Sequence, residues 1–317
     1  MLRSARARVI RRRLLQAVPV LVLATFVVFA LLKLMPGDIA ITLAGDNASD
    51  KRIAEIREMY GLNRPFLIQY GSWLAHALQG DLSRSLASGE PVAVSIARSF
   101  PNTLLIVGLA MVVALALGIP LGMLAASRPD GWRDRAVTSI ASLGIAVPNF
   151  WLAMILVAWL ALELGWFPAT GAVALKDNPA KALHHAILPA LALAAGGVAE
   201  VSRQLRSSLV EILSSPYVRT LRAKGLSSTA VLWKHGLKNA GVNLLTVTTL
   251  LFNRLLAATV VVEAVFAIPG MGNLIVNAAL KRDLPVVQGV VFVMVLVVIA
   301  VNLAADLLYT VLDPRIR

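Results

Sequence analysis

The sequence is poor in the residue types that carry out chemistry. Its 317 residues include no cysteine and only four histidines, and aromatic residues make up 6% of the chain. Without cysteine, the chain forms no disulfide and offers neither a thiolate metal ligand nor a cysteine nucleophile. His184 and His185 are adjacent, so they point about 100° apart on a helix and make a poor chelating pair. The sequence therefore predicts no metal site and no cofactor within this chain.

Motifs of hydrolases and nucleotide-binding proteins are also absent. The sequence has no His-Glu-x-x-His motif and no Gly-x-x-x-x-Gly-Lys-Ser/Thr phosphate loop. It has no Gly-x-Ser-x-Gly nucleophile turn either. We therefore predict no catalytic residue, and an intramembrane enzyme is disfavoured as a class. If ATP drives the function of this protein, a partner must supply the ATPase.

Long apolar runs dominate what remains. Hydrophobic residues make up 58% of the chain, and the mean hydropathy is +0.77. Apolar runs of about eighteen residues or more predict helices that span a bilayer. The fourth run reaches that length only by continuing past Glu200, and the first is too long for a signal peptide and is interpreted as an uncleaved anchor. The predicted spans are residues 14–35, 103–126, 137–162, 186–199, 244–262 and 286–305. The sequence thus predicts an all-α polytopic membrane protein with six transmembrane helices.

The basic residues are unevenly distributed along a chain with a formal net charge of +13. If the amino terminus is cytoplasmic, the inside segments carry 18 Lys and Arg, and the longer outside segments carry 10. This asymmetry follows the positive-inside rule and predicts that both termini are cytoplasmic. Because the basic residues flank apolar spans, nucleic acid is not predicted as a partner. The inside segments are 1–13, 127–136, 203–238 and 313–317, and the outside segments are 36–98, 165–184 and 264–285.

The segment from residue 36 to residue 100 is predicted to be extracytoplasmic and to contain two helices. Ser49 or Asp50 can cap the first helix, and Gly61 ends it. The second helix carries apolar residues at helical spacing. Those residues are Phe66, Tyr70, Trp73 and Leu74. They can lie at the membrane interface or against a partner, or they can cap the membrane bundle, and the sequence leaves both interpretations open.

A polar and basic stretch, residues 214–240, separates two apolar runs. Ser215 can cap a short helix that begins at Pro216, and Gly225 supplies the left-handed conformation that ends it. A second short helix then begins at Ser227 or Ser228. The side chains expected to be exposed on the first helix are Val218, Arg219, Leu221, Arg222 and Lys224. Such a loop suits a groove of another protein or a surface of anionic lipid, and composition alone does not separate the two.

The sequence "YVRTLRAKGL" within this stretch resembles the cytoplasmic coupling loop of binding-protein-dependent ABC permeases. That loop carries a Glu-Ala-Ala-x-x-x-Gly signature, and the dipeptide/oligopeptide (and nickel) branch commonly has Arg and Thr at its first two positions. The matching positions here are Arg219, Thr220, Leu221 and Gly225. The ATPase-coupling residues that the resemblance implies are Pro216, Tyr217, Val218, Arg219, Thr220, Leu221, Arg222, Ala223, Lys224, Gly225 and Leu226.

Further motifs of the same branch follow in the same order over nearly the whole chain. They are "LMPGD" (34–38), "GDLSRSL" (80–86), "PNTL" (101–104), "VPNFWLAMIL" (147–156), "VVEAVFAIPGMGNL" (261–274), "RDLPVVQG" (282–289) and the terminal "LLYTVLDPRIR". The resemblance, which is to the first (B-type) permease subunit, implies three regions. These are a basic amino terminus and first span at 1–35, an extracytoplasmic insert at 36–100, and a five-helix importer-permease (MetI-like) core at 101–317 with the coupling loop at 205–240.

The resemblance also implies a function and partners. The chain would form half of the translocation pathway of an importer for dipeptides or oligopeptides, with nickel, glutathione or another small solute as alternative cargo. Its partners would be a second permease subunit, paralogous to this one, two ABC ATPase subunits that bind ATP and Mg, and an extracytoplasmic substrate-binding protein. The complex would lie among the lipids of a prokaryotic inner (plasma) membrane.

The sequence departs from this branch at two places. Asn243 stands where the branch usually has proline, and Asn253 and Arg254 stand where small residues are usual in the fifth span. An arginine at the centre of a span costs roughly 2.5–3.5 kcal/mol on insertion scales. Arg254 is therefore predicted either to line a cavity or to form an ion pair.

The candidate pathway residues are Asn253, Arg254 and Glu263. Glu263 is nine residues after Arg254, about 13.5 Å along one helix, so these two cannot pair directly. If Arg254 needs a constant partner, that partner must therefore come from another helix or from the other subunit. Glu200, near the inner end of the fourth span, is separately interpreted as a local partner of Arg203. Glu263 is near the outer end of the fifth span and can face either the cavity or the interface.

The orientation derived from the charge distribution can be tested with single cysteines, since the chain has none of its own. In sealed right-side-out cells, a cysteine at Ser49 or Ser88 should react with an impermeant thiol reagent, whereas one at Ser228 should not. The reverse labelling pattern would overturn the predicted orientation.

Overall fold

The computed structural model describes residues 2–34, 40–41, 48–59 and 61–312. Within them we number eleven helices, and the one strand-like feature is an isolated bridge between Arg84 and Pro91. The helices are α1 (Leu2–Leu34), α2 (Asp50–Met59), α3 (Phe66–Leu78), α4 (Val92–Ser127), α5 (Trp132–Ala146), α6 (Asn149–Leu156, extended by a π-helical segment Val157–Glu163), α7 (Pro179–Ser214), α8 (Pro216–Ala223), α9 (Ser228–Val265), α10 (Met271–Leu280) and α11 (Leu284–Leu312). The carboxyl-terminal residues 313–317 and most of the "LMPGD" motif lie outside the described residues.

Among the described residues, four helices are long and apolar enough to cross a membrane, namely α4, α7, α9 and α11. α7 runs without interruption through Glu200, as the sequence predicted. The predicted third span is instead a pair of helices, α5 and α6 with its extension, which are bent by 95° at their junction. The apolar part of α1, Leu15–Leu31, is shorter than a span. The prediction of six spans is therefore not confirmed, because these residues support four, or five if the bent pair is one span.

The bend between α5 and α6 follows from Pro148. The proline ring disfavours the helical conformation for the residue before it, and Val147 is accordingly extended, with φ −79° and ψ 120°. α6 then begins immediately after the proline. The sequence analysis counted residues 137–162 as one apolar run and did not predict this bend, and whether the bent pair forms the predicted third span is not decided by its length and composition.

One compact unit comprises residues 1–10, 101–269 and 301–317. α7 is its central helix and contacts α5, α6, α8 and α9. Small residues on a helix let neighbouring backbones approach closely, which drives association where lipid removes the hydrophobic difference between helices. Gly122 of α4 shows how close this packing is, since a Cβ atom there would lie 2.7 Å from the carbonyl oxygen of Ser202 on α7. The small buried residues of α7 are Ala182, Ala186, Ala190, Ala192, Ala194, Gly197, Ala199 and Ser202.

A second compact unit comprises residues 11–100 and 270–300. Its core contains aromatic residues of α1 and α3 in edge-to-face contact, with the ring centroids of Phe26 and Tyr70 5.3 Å apart. The hydroxyl groups of Tyr70 and Thr25 lie 2.9 Å apart in this core. Tyr70 and Trp73 are buried. Of the two interpretations that the sequence left open, contact with lipid or a partner does not apply to these two aromatics, because they pack within the chain itself.

The first of the two helices predicted in the insert, residues 36–100, forms as predicted. α2 begins at Asp50, the backbone N–H of Arg52 donates to Ser49 Oγ over 3.4 Å, and Gly61 ends the segment with a φ of +63°. Residues 36–39, 42–47 and 60 of the insert lie outside the described residues.

The second unit also joins two of the motifs that were distant in sequence. The buried carboxylate of Asp283, in "RDLPVVQG", accepts hydrogen bonds from the hydroxyl of Ser85 and from the backbone N–H groups of Leu86 (3.0 Å) and Ala87 (3.3 Å), at the end of "GDLSRSL". A buried carboxylate needs such donors. This loop is therefore fixed by a residue almost 200 positions away.

The segment before α4 carries a further fixed carboxylate. The hydroxyl of Ser95 donates to Glu90 over 2.6 Å, and Arg98 forms an ion pair with the same group. The hydrogen bond from Ser95, followed by that from Arg98, holds the pKa of Glu90 below its ordinary value. Glu90 is therefore ionised at neutral pH at the start of α4.

The close approach of α4 and α7 predicts a specific sensitivity to added volume. Gly122→Ala should destabilise the protein by about 1–3 kcal/mol, since the new Cβ atom meets a backbone oxygen that cannot move independently. The thermal unfolding midpoint of the purified protein measures this loss. Gly108→Ala is the control, because it lies on the same helix with no atom within 4 Å of the added Cβ. Equal midpoints for the two variants would contradict the packing described here.

Candidate coupling loop and charged residues of the spans

The basic stretch forms a compact helix-turn of fixed geometry. Pro216 is at the first position of α8, and the helix ends in backbone hydrogen bonds from Lys224 to Thr220 (3.1 Å) and from Gly225 to Arg222 (2.9 Å). Gly225 has a φ of +81°, in the left-handed region that favours glycine. The predicted start, end and stop residue of this helix are confirmed.

Three details of the loop differ from the prediction. The side chain of Ser215 makes no capping hydrogen bond. Its backbone carbonyl instead accepts a hydrogen bond from the backbone N–H of Val218 (3.1 Å). Val218 is fully buried rather than exposed, because α8 lies against α7 and the π-helical segment Val231–Gly236. The helix capped by Ser227 is not short, since it continues as α9 to Val265.

The base of the loop is held in place by an apolar cluster and a polar contact. The hydroxyl of Tyr217 lies 3.0 Å from Nδ1 of His235, across the two arms of the loop. The buried members of the cluster beneath it are Met123, Ala126, Leu205, Leu209 and Ala240. Tyr217 thereby joins α8 to α9, and α8 also contacts α7 directly.

The outer surface of α8 remains open and basic. The exposed residues of the loop include Arg219, Thr220, Arg222 and Lys224. The buried Val218 fixes the orientation of the helix, so the cations project together from one rigid element. This arrangement can bind a complementary surface of another protein without the cost of ordering a flexible loop.

An ion pair between α5 and α7 was not predicted from the sequence. Arg206 of α7 binds Asp134 of α5 in a two-pronged geometry, with Nε–Oδ1 and Nη2–Oδ2 distances of 2.7 and 2.5 Å. The backbone N–H of Asp130 also donates to Asp134 (2.8 Å), and Asp134 is buried. The loop between α4 and α5 is thus attached to α7. The sequence feature that could have indicated this ion pair is an acidic residue among three arginines just before an apolar run.

Arg254 forms an ion pair with Glu200, which joins α9 to α7. The interpretation that Glu200 pairs locally with Arg203 was wrong. The prediction that the partner of Arg254 must come from another helix is confirmed. The side chains of Arg254 and Glu200 are 55% and 24% exposed, so the pair lies at the surface of this subunit and not in its core.

Asn253 and Asn243, two of the residues at which the sequence departs from the branch, make contacts between helices. Asn253 donates to Asn302 of α11 over 3.4 Å, and Asn243 donates to the hydroxyl of Ser208 on α7. Asn243 therefore forms a polar link between α9 and α7.

Glu263 faces neither an open cavity nor the lipid interface. It is fully buried, and its carboxylate accepts hydrogen bonds from the hydroxyls of Thr103 on α4 (2.6 Å) and Thr259 on α9 (2.8 Å). It thereby connects α4 to α9 near the carboxyl end of α9, and its assignment to the pathway stays a prediction. Of the three pathway candidates, only Arg254 is exposed.

No group of three His, Asp or Glu side chains able to hold a metal ion occurs in the part of the chain that the structure describes.

Two family models match the chain. The model described as "Binding-protein-dependent transport system inner membrane component" matches residues 118–317, and a model of the amino-terminal region of such membrane components matches residues 6–111. The chain belongs to this family. It is a membrane permease subunit, as the motifs indicated.

Several relatives resemble this permease over nearly their full length. A putative peptide transport system permease protein of Brucella abortus (strain 2308) is 42% identical over 97% of this chain and 98% of its own. The oligopeptide transport system permease protein AppB of Bacillus subtilis is 39% identical over 98% and 99% of the two chains. The glutathione transport system permease protein GsiC of Salmonella choleraesuis is 39% identical over 96% and 97%.

The fold also resembles that of a solved transporter. An inward-facing crystal structure of the MetNI methionine ABC transporter contains a chain that matches with a TM-score of 0.60 at 19% identity, over 71% of this permease and 99% of that chain. The predicted all-α importer-permease fold is thus confirmed. The domain boundaries predicted from sequence stay predictions.

The ion pair between Asp134 and Arg206 predicts a distinct pattern of stability. Arg206→Met leaves a buried carboxylate unpaired and should destabilise the permease by about 3–5 kcal/mol. Arg203→Met, at an exposed position of the same helix, should change stability little. Thermal unfolding of the two variants compares them, and the double variant Asp134→Asn/Arg206→Met should recover part of the loss. A loss in Arg203→Met as large as that in Arg206→Met would contradict a specific role for the pair.

Proposed function

We propose that this permease imports dipeptides or oligopeptides as one of two membrane subunits, and that the loop Pro216–Leu226 couples it to cytoplasmic ATPases. The observation that carries the coupling role is the rigid α8, with a buried Val218 and an exposed basic surface. The peptide substrate is supported by the names of relatives that are 39–42% identical over nearly the whole chain.

The proposed coupling is mechanical. α8 follows α7 after the single residue Ser215, and only residues 224–227 separate it from α9. A shift of an ATPase bound to α8 therefore acts on two long helices at once. Packed helices respond by rigid-body movement rather than by gradual deformation, so ATP binding and hydrolysis would alternate the access of the pathway between the two sides.

The partners belong to the same proposal. The chain carries no phosphate loop, so ATP and Mg are bound by two ATPase subunits, and a paralogous permease subunit and an extracytoplasmic binding protein complete the importer. The permease lies in the inner membrane of a prokaryote with both termini in the cytoplasm, which the distribution of Lys and Arg supports.

Glutathione is a second candidate cargo, because the relative GsiC is named a glutathione transport permease and is 39% identical over nearly the full length. Nickel or another small solute remains an alternative from the resemblance of the motifs. An intramembrane enzyme has no supporting observation.

The coupling role predicts a local effect of backbone strain at Gly225. Gly225→Val forces a β-branched residue to a φ of +81°. The substitution should leave membrane insertion intact but lower the amount of ATPase that copurifies with the permease by about tenfold or more, since a disturbed α8 loses the geometry that the ATPase binds.

Gly165→Val is the matched control. Gly165 has a φ of +63° and, like Gly225, no atom within 4 Å of an added Cβ, but it lies in the predicted external loop. It should retain wild-type ATPase. If both variants retain the ATPase, the coupling proposal fails, and if both lose it equally, the effect is general misfolding and the loop has no special role.

A further inference from the structure

The pair formed by Arg254 and Glu200 is placed unusually for a membrane protein. Nη2 of Arg254 donates to Oε2 of Glu200 across α7 and α9, and more than half of the arginine side chain is exposed. Arg254 is eleven residues before the end of α9, about 16 Å along the helix, well within the apolar part of the span. Lipid solvates such a charge poorly, so this surface meets water or protein.

The exposed face of α9 around Arg254 is otherwise uncharged. Its exposed residues, spaced at three or four positions, are Thr246, Leu250, Ala257, Val261 and Ala264. Arg254 is the single charged group on this face of α9 between residues 246 and 264, and Glu200 from α7 neutralises it. A solute that moves along this face therefore meets one cation and one anion side by side.

We propose that Arg254 and Glu200 form a transient binding site for solutes that carry both a carboxylate and an ammonium group, such as the free ends of a peptide. This inference rests on the proposed function in peptide import. Arg254 binds the carboxylate, which a guanidinium holds in a two-pronged geometry. Glu200 binds the ammonium group.

The site works by exchange of ion-pair partners. Between transport events the two side chains neutralise each other, so neither charge is left uncompensated. When a dipolar solute arrives, one ion pair within the protein is replaced by two between protein and solute. A lone arginine would favour anions and a lone glutamate would favour cations, whereas the pair favours net-neutral solutes that carry both charges.

A double-mutant cycle tests this inference in the complete transporter reconstituted with its ATPases and external binding protein. ATP-driven uptake of trialanine is measured for Arg254→Met, Glu200→Gln and the double variant Glu200→Gln/Arg254→Met. Each single variant should lower uptake roughly tenfold or more, which is the effect of losing a hydrogen bond to a charged group. The double variant should stay as low as the singles.

The double variant separates binding from a structural role. If the pair served only stability, removing both charges together would leave no unpaired group, and uptake would return toward that of the wild type. Such a recovery, or unchanged uptake in the single variants, would overturn the inference while the proposed function stands. Assembly is checked by the yield of intact complex, and collapse of the complex in the single variants with recovery in the double variant would likewise identify a structural pair.

Arg203→Met is the matched control, because it removes an exposed cation from α7 three residues after Glu200, and it should leave trialanine uptake unchanged. A loss in this control equal to that in Arg254→Met would overturn the site as a specific one. If the wild-type transporter moves no peptide at all, the proposed function fails and this inference fails with it.

Discussion

The close packing of α7 against its neighbours is the constraint on which the rest of the structure depends. Most of the buried residues of this helix are small, chiefly alanine. The backbones of α4 and α7 approach so closely that Gly122 of α4 has no room for a Cβ atom beside Ser202. In lipid, helices gain little from the hydrophobic effect on association, so contact of this kind supplies much of the attraction. Glu200, Arg206 and the connection to α8 are all carried by this one helix.

This placement links the charged residues of the permease to its proposed movement. The two ion pairs of α7 attach it to α5, next to the loop between α4 and α5, and to α9 within the span. Both ion pairs join helices that small residues already hold close together. Packing therefore supplies the contact between the helices, and the ion pairs fix their relative orientation. In the proposed mechanism, a displacement that begins at α8 would be transmitted through α7 to the surface that carries Arg254.

Much of the local structure could be predicted from the sequence, because it is decided by residues close to one another. Pro216 and Gly225 set the ends of α8, and Ser49 and Gly61 set those of α2, through backbone conformation alone. The burial of Val218 could not be predicted, because it depends on how α8 lies against helices that precede and follow it. The same is true of the partner of Arg254, since Glu200 is 54 positions away, and of Glu263, whose hydroxyl donor Thr103 lies on another helix. The bend at Pro148 was predictable in principle, but hydropathy alone does not detect a proline within an apolar run.

The central claim is that α8 binds the ATPase, and cross-linking tests it most directly. A photoreactive amino acid at Arg222 in the intact transporter should form a covalent adduct with an ATPase subunit. The same group at Lys176, an exposed position in the predicted external loop, should not. An adduct of Arg222 with lipid alone, or equal cross-linking from both positions, would contradict the account.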